Sequence, residues 1–283
     1  MTNWREQHFQ QHEALFYESQ TVIQQGSSSF YFAFSKLPAY QAHSIFAVYH
    51  LLRLLDDSVD DRDDTLYEAL TAEWAAFKRG ATPTRAPWPA LRIVWQLFTI
   101  NPKWVDDMWT GQNCDRQFQQ PQTQADLTRY CYQVAGTVGL ILMPILTDNA
   151  VTTVNPAVID LGIAMQLTNI LRDIGADAKI GRCYLPVDAC ERYGLTAAVL
   201  QRPEHRVALR NLLIEQAQLA ENAYGALPTV LALIPNAKSR QMLELASDVY
   251  HGILTKIIAN DYDVLSKRIH LSLIDKLKLV KPL

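Results

Sequence analysis

The chain has 283 residues, 49% of them hydrophobic and 19% charged, with a formal net charge of −3. That supports a large buried core, and the absence of a Lys/Arg run or basic stripe excludes nucleic acid as a partner. No apolar stretch reaches the ~18–20 residues that cross a bilayer, and the polar start Met1-Thr-Asn-Trp-Arg-Glu-Gln lacks the apolar core of a signal peptide; a cytoplasmic location is expected.

In chain order, residues 41–55 (QAHSIFAVYHLLRLL) place apolar side chains at helical spacing and run directly into an acidic stretch, Asp56-Asp57-Ser58-Val59-Asp60-Asp61. Residues 80–89 (GATPTRAPWP) read as a loop, with Trp88 packed inside it, and residues 119–124 (QQPQTQ) as another, with helix from about Asp126. The apolar run Val138–Leu146 is interrupted by Pro144. Residues 148–156 form a third loop, and Asn155-Pro156 marks a helix start. Helical periodicity resumes over 157–172 and 206–223. No hairpin signal, nucleotide-binding glycine loop or internal repeat occurs, and no segment has the composition of an interdomain linker. One all-α domain over residues 1–283 is the expected organisation. The four cysteines (Cys114, Cys131, Cys183, Cys190) form no C-x-x-C pair and read as buried thiols, and the seven histidines form no metal cluster.

The chemistry lies in two helices. Asp56 and Asp60 are separated by four residues and share one helix face, with Arg53 one turn earlier. Alone this is ambiguous, because Asp57/Asp61 and Asp60/Asp64 repeat the spacing, as in a solvated acidic helix end. The second stretch is more specific. Gln166, Asn169, Asp173 and Asp177 make one polar seam about 16 Å long on a helix otherwise apolar nearly all round. Two carboxylates about 6 Å apart repel by roughly 3 kcal/mol at an effective dielectric near 20, which a divalent cation removes. An all-oxygen donor set favours Mg²⁺ completed by water and phosphate; a buried polar network without metal is the alternative.

Three segments carry a family resemblance. The first is Tyr49-x-x-x-Arg53-x-x-Asp56-Asp57-x-x-Asp60. The second is Tyr130-Cys131-Tyr132-Gln133-Val134-Ala135-Gly136-Thr137-Val138-Gly139. The third is Leu161-Gly162-x-x-x-Gln166-x-x-Asn169-Ile170-x-Arg172-Asp173-Ile174-x-x-Asp177, continuing to Arg182-x-Tyr184-x-Pro186. In these the sequence resembles the squalene/phytoene synthase family, with further agreement from Ser27-Ser28-Ser29-Phe30 to Tyr250 and Tyr262-Asp263-Val264. The resemblance implies an isoprenoid synthase fold, a single helical bundle around a deep central cavity with two acidic helices facing across its mouth. It implies that Asp56, Asp60, Asn169, Asp173 and Asp177 hold several Mg²⁺ ions. Arg53 and Arg172, and by position Arg268, would clamp diphosphate. Ser27, Ser29 and Tyr49 would hydrogen-bond it, beside Tyr250. Tyr130, Val134, Val138 and Gln166 would line the cavity near the reacting carbons, and Tyr184 would help close the mouth. From the aromatic content, Phe30 is expected to border that cavity and Phe34 and Phe46 to form its floor and limit chain length, with plain core packing as the alternative for each. Gly26 departs from the pattern, since relatives often carry His there, and one extra residue separates Tyr262 from Arg268.

The chain looks most like the bacterial dehydrosqualene-forming members. These condense two molecules of farnesyl diphosphate head to head, through a cyclopropylcarbinyl diphosphate, in carotenoid biosynthesis. Two alternatives share the chemistry: a phytoene synthase acting on geranylgeranyl diphosphate, and a squalene synthase using NADPH. The shortness of the chain and the lack of a C-terminal anchor argue against the eukaryotic squalene-forming type. A non-catalytic isoprenoid-binding protein would be expected to lose acidic ligands, and all four principal Asp residues are present. A water-insoluble product suggests transient membrane contact or docking of a downstream desaturase; the sequence gives no oligomeric state.

Overall fold

In the computed structural model residues 4–280 are described; residues 1–3 of the polar N-terminal stretch and residues 281–283 lie outside them. Among the described residues every regular element is helical and no strand occurs. The chain forms two compact units, each assembled from three separate segments: Met1–Arg116, Leu140–Thr153 and Leu233–Ala246 in the first, and Gln117–Gly139, Val154–Ala232 and Ser247–Leu283 in the second.

The first unit begins with α1 (Trp4–Gln10), α2 (Tyr17–Gly26) and the short α3 (Ser28–Phe34). Ser27 opens α3 as its N-cap, its hydroxyl accepting from the Phe30 amide at 3.3 Å. The central element is α4 (Ala39–Asp60), which buries Ile45, Phe46, Ala47, Val48, Leu51, Leu55 and Val59. Each fully buried side chain of that size contributes about 1.5–3 kcal/mol. Its buried polar groups are paired: Gln41 donates to the Ile145 carbonyl at 2.7 Å, and Ser44 to that of Tyr40 at 2.6 Å. The helix ends at Arg62, whose φ of 55° is left-handed and stops propagation. Then come α5 (Asp64–Lys78), capped by Asp63, α6 (Trp88–Leu97) and α7 (Pro102–Arg116), both packed on α4.

Trp88 corrects one expectation. It is the first residue of α6 rather than part of a loop, and it is fully buried, stacked on Trp74 at 6.2 Å and donating to Glu73 at 2.7 Å. Proline at the second helical position has no intrahelical donor to lose, so the Pro-rich run initiates a helix here.

The second unit begins with α8 (Gln124–Cys131), which starts two residues before the expected Asp126 because Thr123 and Asp126 form a capping box. It continues into a π-helical turn, Tyr132–Gly136, and then α9 (Thr137–Leu146), whose residues contribute to both units. The long α10 (Pro156–Lys179) starts as the sequence predicts, with Asn155 capping the Ala157 amide at 3.0 Å and Pro156 first in the helix. It packs against the π turn and α12. Gly162 permits the first contact: a Cβ there would lie 2.7 Å from both the Ala135 carbonyl oxygen and the Gly136 Cα. The remaining helices are α11 (Val187–Arg192), α12 (Arg206–Tyr224), α13 (Leu227–Ala232), α14 (Ala237–Ala259) and α15 (Leu273–Lys278). Three cysteines are buried as expected, but Cys114 is exposed, on a face of α7 other than the one that buries Gln112 and Asp115.

Candidate active site

In the first unit the acidic stretch occupies the last turns of α4, with no basic residue in the final turn. The C-terminal end of a helix carries about half a negative charge, and cations are favoured there over carboxylates. Asp56 keeps 43% of its side chain in contact with solvent, yet protein closes round the rest. Burial first, and the negative charge of Asp60 second, push its pKa up to about 6. Arg53 lies 3.5 Å from Asp56 and is held more tightly by Asp57, so two neighbouring carboxylates share this one guanidinium.

Tyr49 sits on the same helix, half-buried, with its ring 6.5 Å from Phe30, which in turn is 5.6 Å from Phe34. Its hydroxyl occupies the space beside Gly26: a Cβ at 26 would lie 2.5 Å from the Tyr49 oxygen. Glycine at this position thus leaves room for the tyrosine. Phe34 and Phe46 are both fully buried in the aromatic interior of this unit, Phe46 at 5.7 Å from Tyr31. Ser28 is exposed on α3, while Ser27 and Ser29 are half-buried at its start.

In the second unit the predicted seam is present on α10. Gln166, Asn169, Asp173 and Asp177 are all half-buried, flanked by buried Leu167, Ile170, Leu171 and Ile174. Asn169 donates to the Gln166 side-chain oxygen at 3.3 Å, which places both on one face. Its own side-chain oxygen is buried without a partner, and such an atom costs about 1–3 kcal/mol unless satisfied. Asp177 again falls in the last turn of a long helix. Asp173 differs from Asp56. Arg172 donates to it at 2.9 Å and Arg268 at 2.7 and 3.1 Å. Burial alone would raise the Asp173 pKa, but the hydrogen bonds and charge of the two arginines hold it below the usual carboxylate range. Arg172 is held fully charged, since Asp173 more than offsets its burial.

Around this seam, Tyr184 stacks on Tyr130 at 5.1 Å and meets Phe118 edge-on at 5.1 Å. Val134 and Val138 stay half-exposed, unlike the sealed apolar residues of α9 from Leu140 onward. Tyr250 of α14 is near enough to influence both Arg172 and Tyr224 electrostatically. The π turn inserts one residue between Tyr130 and Val138; such turns gather at functional sites.

The donor set fits Mg²⁺. Among the described residues no three His, Cys, Asp or Glu side chains form a metal cage by themselves. Carboxylate pairs on helix C-termini and a buried, unpartnered amide oxygen suit an ion that keeps several water or phosphate ligands. One participant escapes the sequence reading: Gln112 of α7 is buried and hydrogen-bonds the Asp56 carboxylate. Its signal is the polar pair Gln112 and Asp115 on the face of α7 that also buries Met108 and Trp109.

The squalene/phytoene synthase family model matches residues 23–275, through both units. The chain is 32% identical over 249 residues to a 4,4'-diapophytoene synthase of Staphylococcus haemolyticus, covering 86% of this chain and 87% of that one. It is 34% identical over 255 residues to a phytoene synthase of Thermus thermophilus, covering 88% and 86%. A crystal structure of a dehydrosqualene synthase in complex with ligand superposes with a TM-score of 0.88 at 35% identity over 96% of both chains; the fold is that of the isoprenoid synthases. The chain is therefore a member of the squalene/phytoene synthase family, enzymes of the prenyltransferase type.

Proposed function

We propose that the protein condenses two molecules of farnesyl diphosphate head to head to give dehydrosqualene. The observation that carries the reaction class is the placement of Asp56 and Asp60 on the last turns of α4 and of Asp173 and Asp177 near the end of α10, where a helix C-terminus adds its negative charge to theirs and favours a cation. Asp56 and Asp60 in one unit, and Asn169, Asp173 and Asp177 in the other, would hold Mg²⁺. When bound, the ions supply Lewis-acid stabilisation of the leaving diphosphate.

The protein's own groups then act as follows. Arg53, Arg172 and Arg268 bind diphosphate oxygens, and Ser27, Ser29 and Tyr49 donate hydrogen bonds to them. Departure of the first diphosphate leaves an allylic cation, which the double bond of the second chain attacks; the carbocation so formed loses one proton as the three-membered ring closes, giving a cyclopropylcarbinyl diphosphate. Loss of the second diphosphate, rearrangement and release of a proton complete the hydrocarbon. Tyr130, Tyr184, Val134 and Val138 keep water from these cations, and the two tyrosines offer aromatic faces to them; Gln166 contributes polar contact near the reacting carbons. Phe34 and Phe46 would restrict the chain to fifteen carbons.

The likeness to a dehydrosqualene synthase over 96% of both chains favours farnesyl diphosphate; the 34% identity to a phytoene synthase favours geranylgeranyl diphosphate as a second reading. The protein is incubated with Mg²⁺ and each diphosphate, with and without NADPH, and the hydrocarbon is identified. Dehydrosqualene from farnesyl diphosphate, unchanged by NADPH, is expected. Phytoene from the longer substrate alone, or squalene with NADPH, would overturn the assignment.

A further inference from the structure

The short helix α15 buries none of its residues. Leu273, Ile274 and Leu277 are 65%, 66% and 53% exposed, among the most exposed large apolar side chains in the protein. At 3.6 residues per turn they occupy one arc of about 100°, with Lys276 and Lys278 on its two flanks. The one acidic residue of the helix, Asp275, falls on the opposite side. There it is tied to Lys256 of α14 at 2.7 Å and to the capping Ser272 at 2.7 Å, which fixes the rotation of the helix about its axis. Between residues 266 and 280 three lysines (Lys267, Lys276, Lys278), besides Arg268, which is engaged by Asp173, stand against this single, already neutralised carboxylate, in a chain whose net charge is −3.

We infer that this face of α15 docks the protein on the surface of an anionic phospholipid bilayer. An outward apolar arc flanked by lysines matches the interfacial boundary in both polarity and sign. Three side chains offer a few hundred Å² at most, well below the ~800 Å² per partner of a stable protein interface, so a second copy of the chain is a poorer occupant. Among the described residues no helix is long and apolar enough to cross a membrane, so the contact is peripheral. It sits beside Arg268 in sequence, which would bring a lipid surface close to an enzyme whose product is a hydrocarbon.

The full chain is sedimented with vesicles of about 30 mol % phosphatidylglycerol in phosphatidylcholine, and with phosphatidylcholine alone. It is expected to bind the anionic vesicles, to remain free of the neutral ones, and to be released by salt. Leu273→Ser, Ile274→Ser and Leu277→Ser combined should lower partitioning at least about tenfold, and Lys278→Glu about tenfold. Neither variant should shift the melting temperature by more than about a degree or two, since each substituted side chain is more than half exposed or lies on the solvent side of the helix. Failure of the parent to bind, equal binding to neutral vesicles, or full binding by the triple-Ser variant would each overturn the inference. So would a concentration-dependent dimer that the triple-Ser variant abolishes without any change in vesicle binding. No substrate enters the measurement, so its result is independent of the reaction proposed above.

Discussion

Asp56 and Asp173 occupy comparable positions near the ends of their helices but stand in opposite electrostatic states. Asp56, raised to about 6 by burial and Asp60, opposes folding of the metal-free protein once ionised. Its contribution is intact below the ordinary carboxylate pKa and is lost as pH rises through about 6. Asp56→Asn should therefore raise the melting temperature of metal-free protein at pH near 7.5, and the difference from the parent should vanish near pH 4. The same variant should lower kcat/KM by about a thousandfold with Mg²⁺ present, as should Asp173→Ala. Asp173, held low by its arginines, runs the other way: its contribution is present above the unfolded pKa and is lost only as pH falls through the folded one. Asp173→Asn should thus destabilise the metal-free protein at neutral pH, measured by thermal melting. Gly26→Ala would place a Cβ 2.5 Å from the Tyr49 oxygen and turn that ring; the expected result is a several-fold higher KM with stability changed by less than ~1 kcal/mol.

At the scale of elements, the contact between α10 and the π turn is the one most sensitive to a single atom. Gly162→Ala sets a methyl against backbone that cannot rotate away, and should cost about 1–3 kcal/mol or more by urea denaturation, with activity falling alongside. The sequence made α10 legible because its seam of Gln166, Asn169, Asp173 and Asp177 contrasts with an apolar surround, and because Asn155-Pro156 is a strong start signal. The π turn was not legible: Tyr132–Gly136 has no composition that separates i+5 from i+4 hydrogen bonding, and only the approach of α10 reveals it. The Trp88 helix was missed because prolines before it look like a loop when the stacking partner Trp74, fourteen positions earlier, is unseen. Gln112 escaped for a related reason: a buried amide is informative only once its partner Asp56 is known.

Across the whole molecule, composition and helical period indicated the all-α class, and the motif segments pointed to the family. Which carboxylates are already paired could not be read from either. The bond from Arg268 to Asp173 joins positions 95 residues apart and depends on the chain's path between them. The cysteines divide in the same way. Cys131, Cys183 and Cys190 are buried and Cys114 is exposed, so a thiol reagent under native conditions should titrate one group rapidly and the other three only on unfolding.

The crowded carboxylates at the end of α4 also bear on how the metal-free protein responds to ionic strength. Inert salt shortens the range of repulsion between exposed charges, and in this stretch Asp56 and Asp57 share the Arg53 guanidinium while the charge of Asp60 works against ionisation of Asp56. Potassium chloride should therefore raise the melting temperature of the metal-free protein, and that rise should disappear in Asp60→Asn; what behaves in buffer as an ordinary salt effect would be the screening of one helix's acidic end.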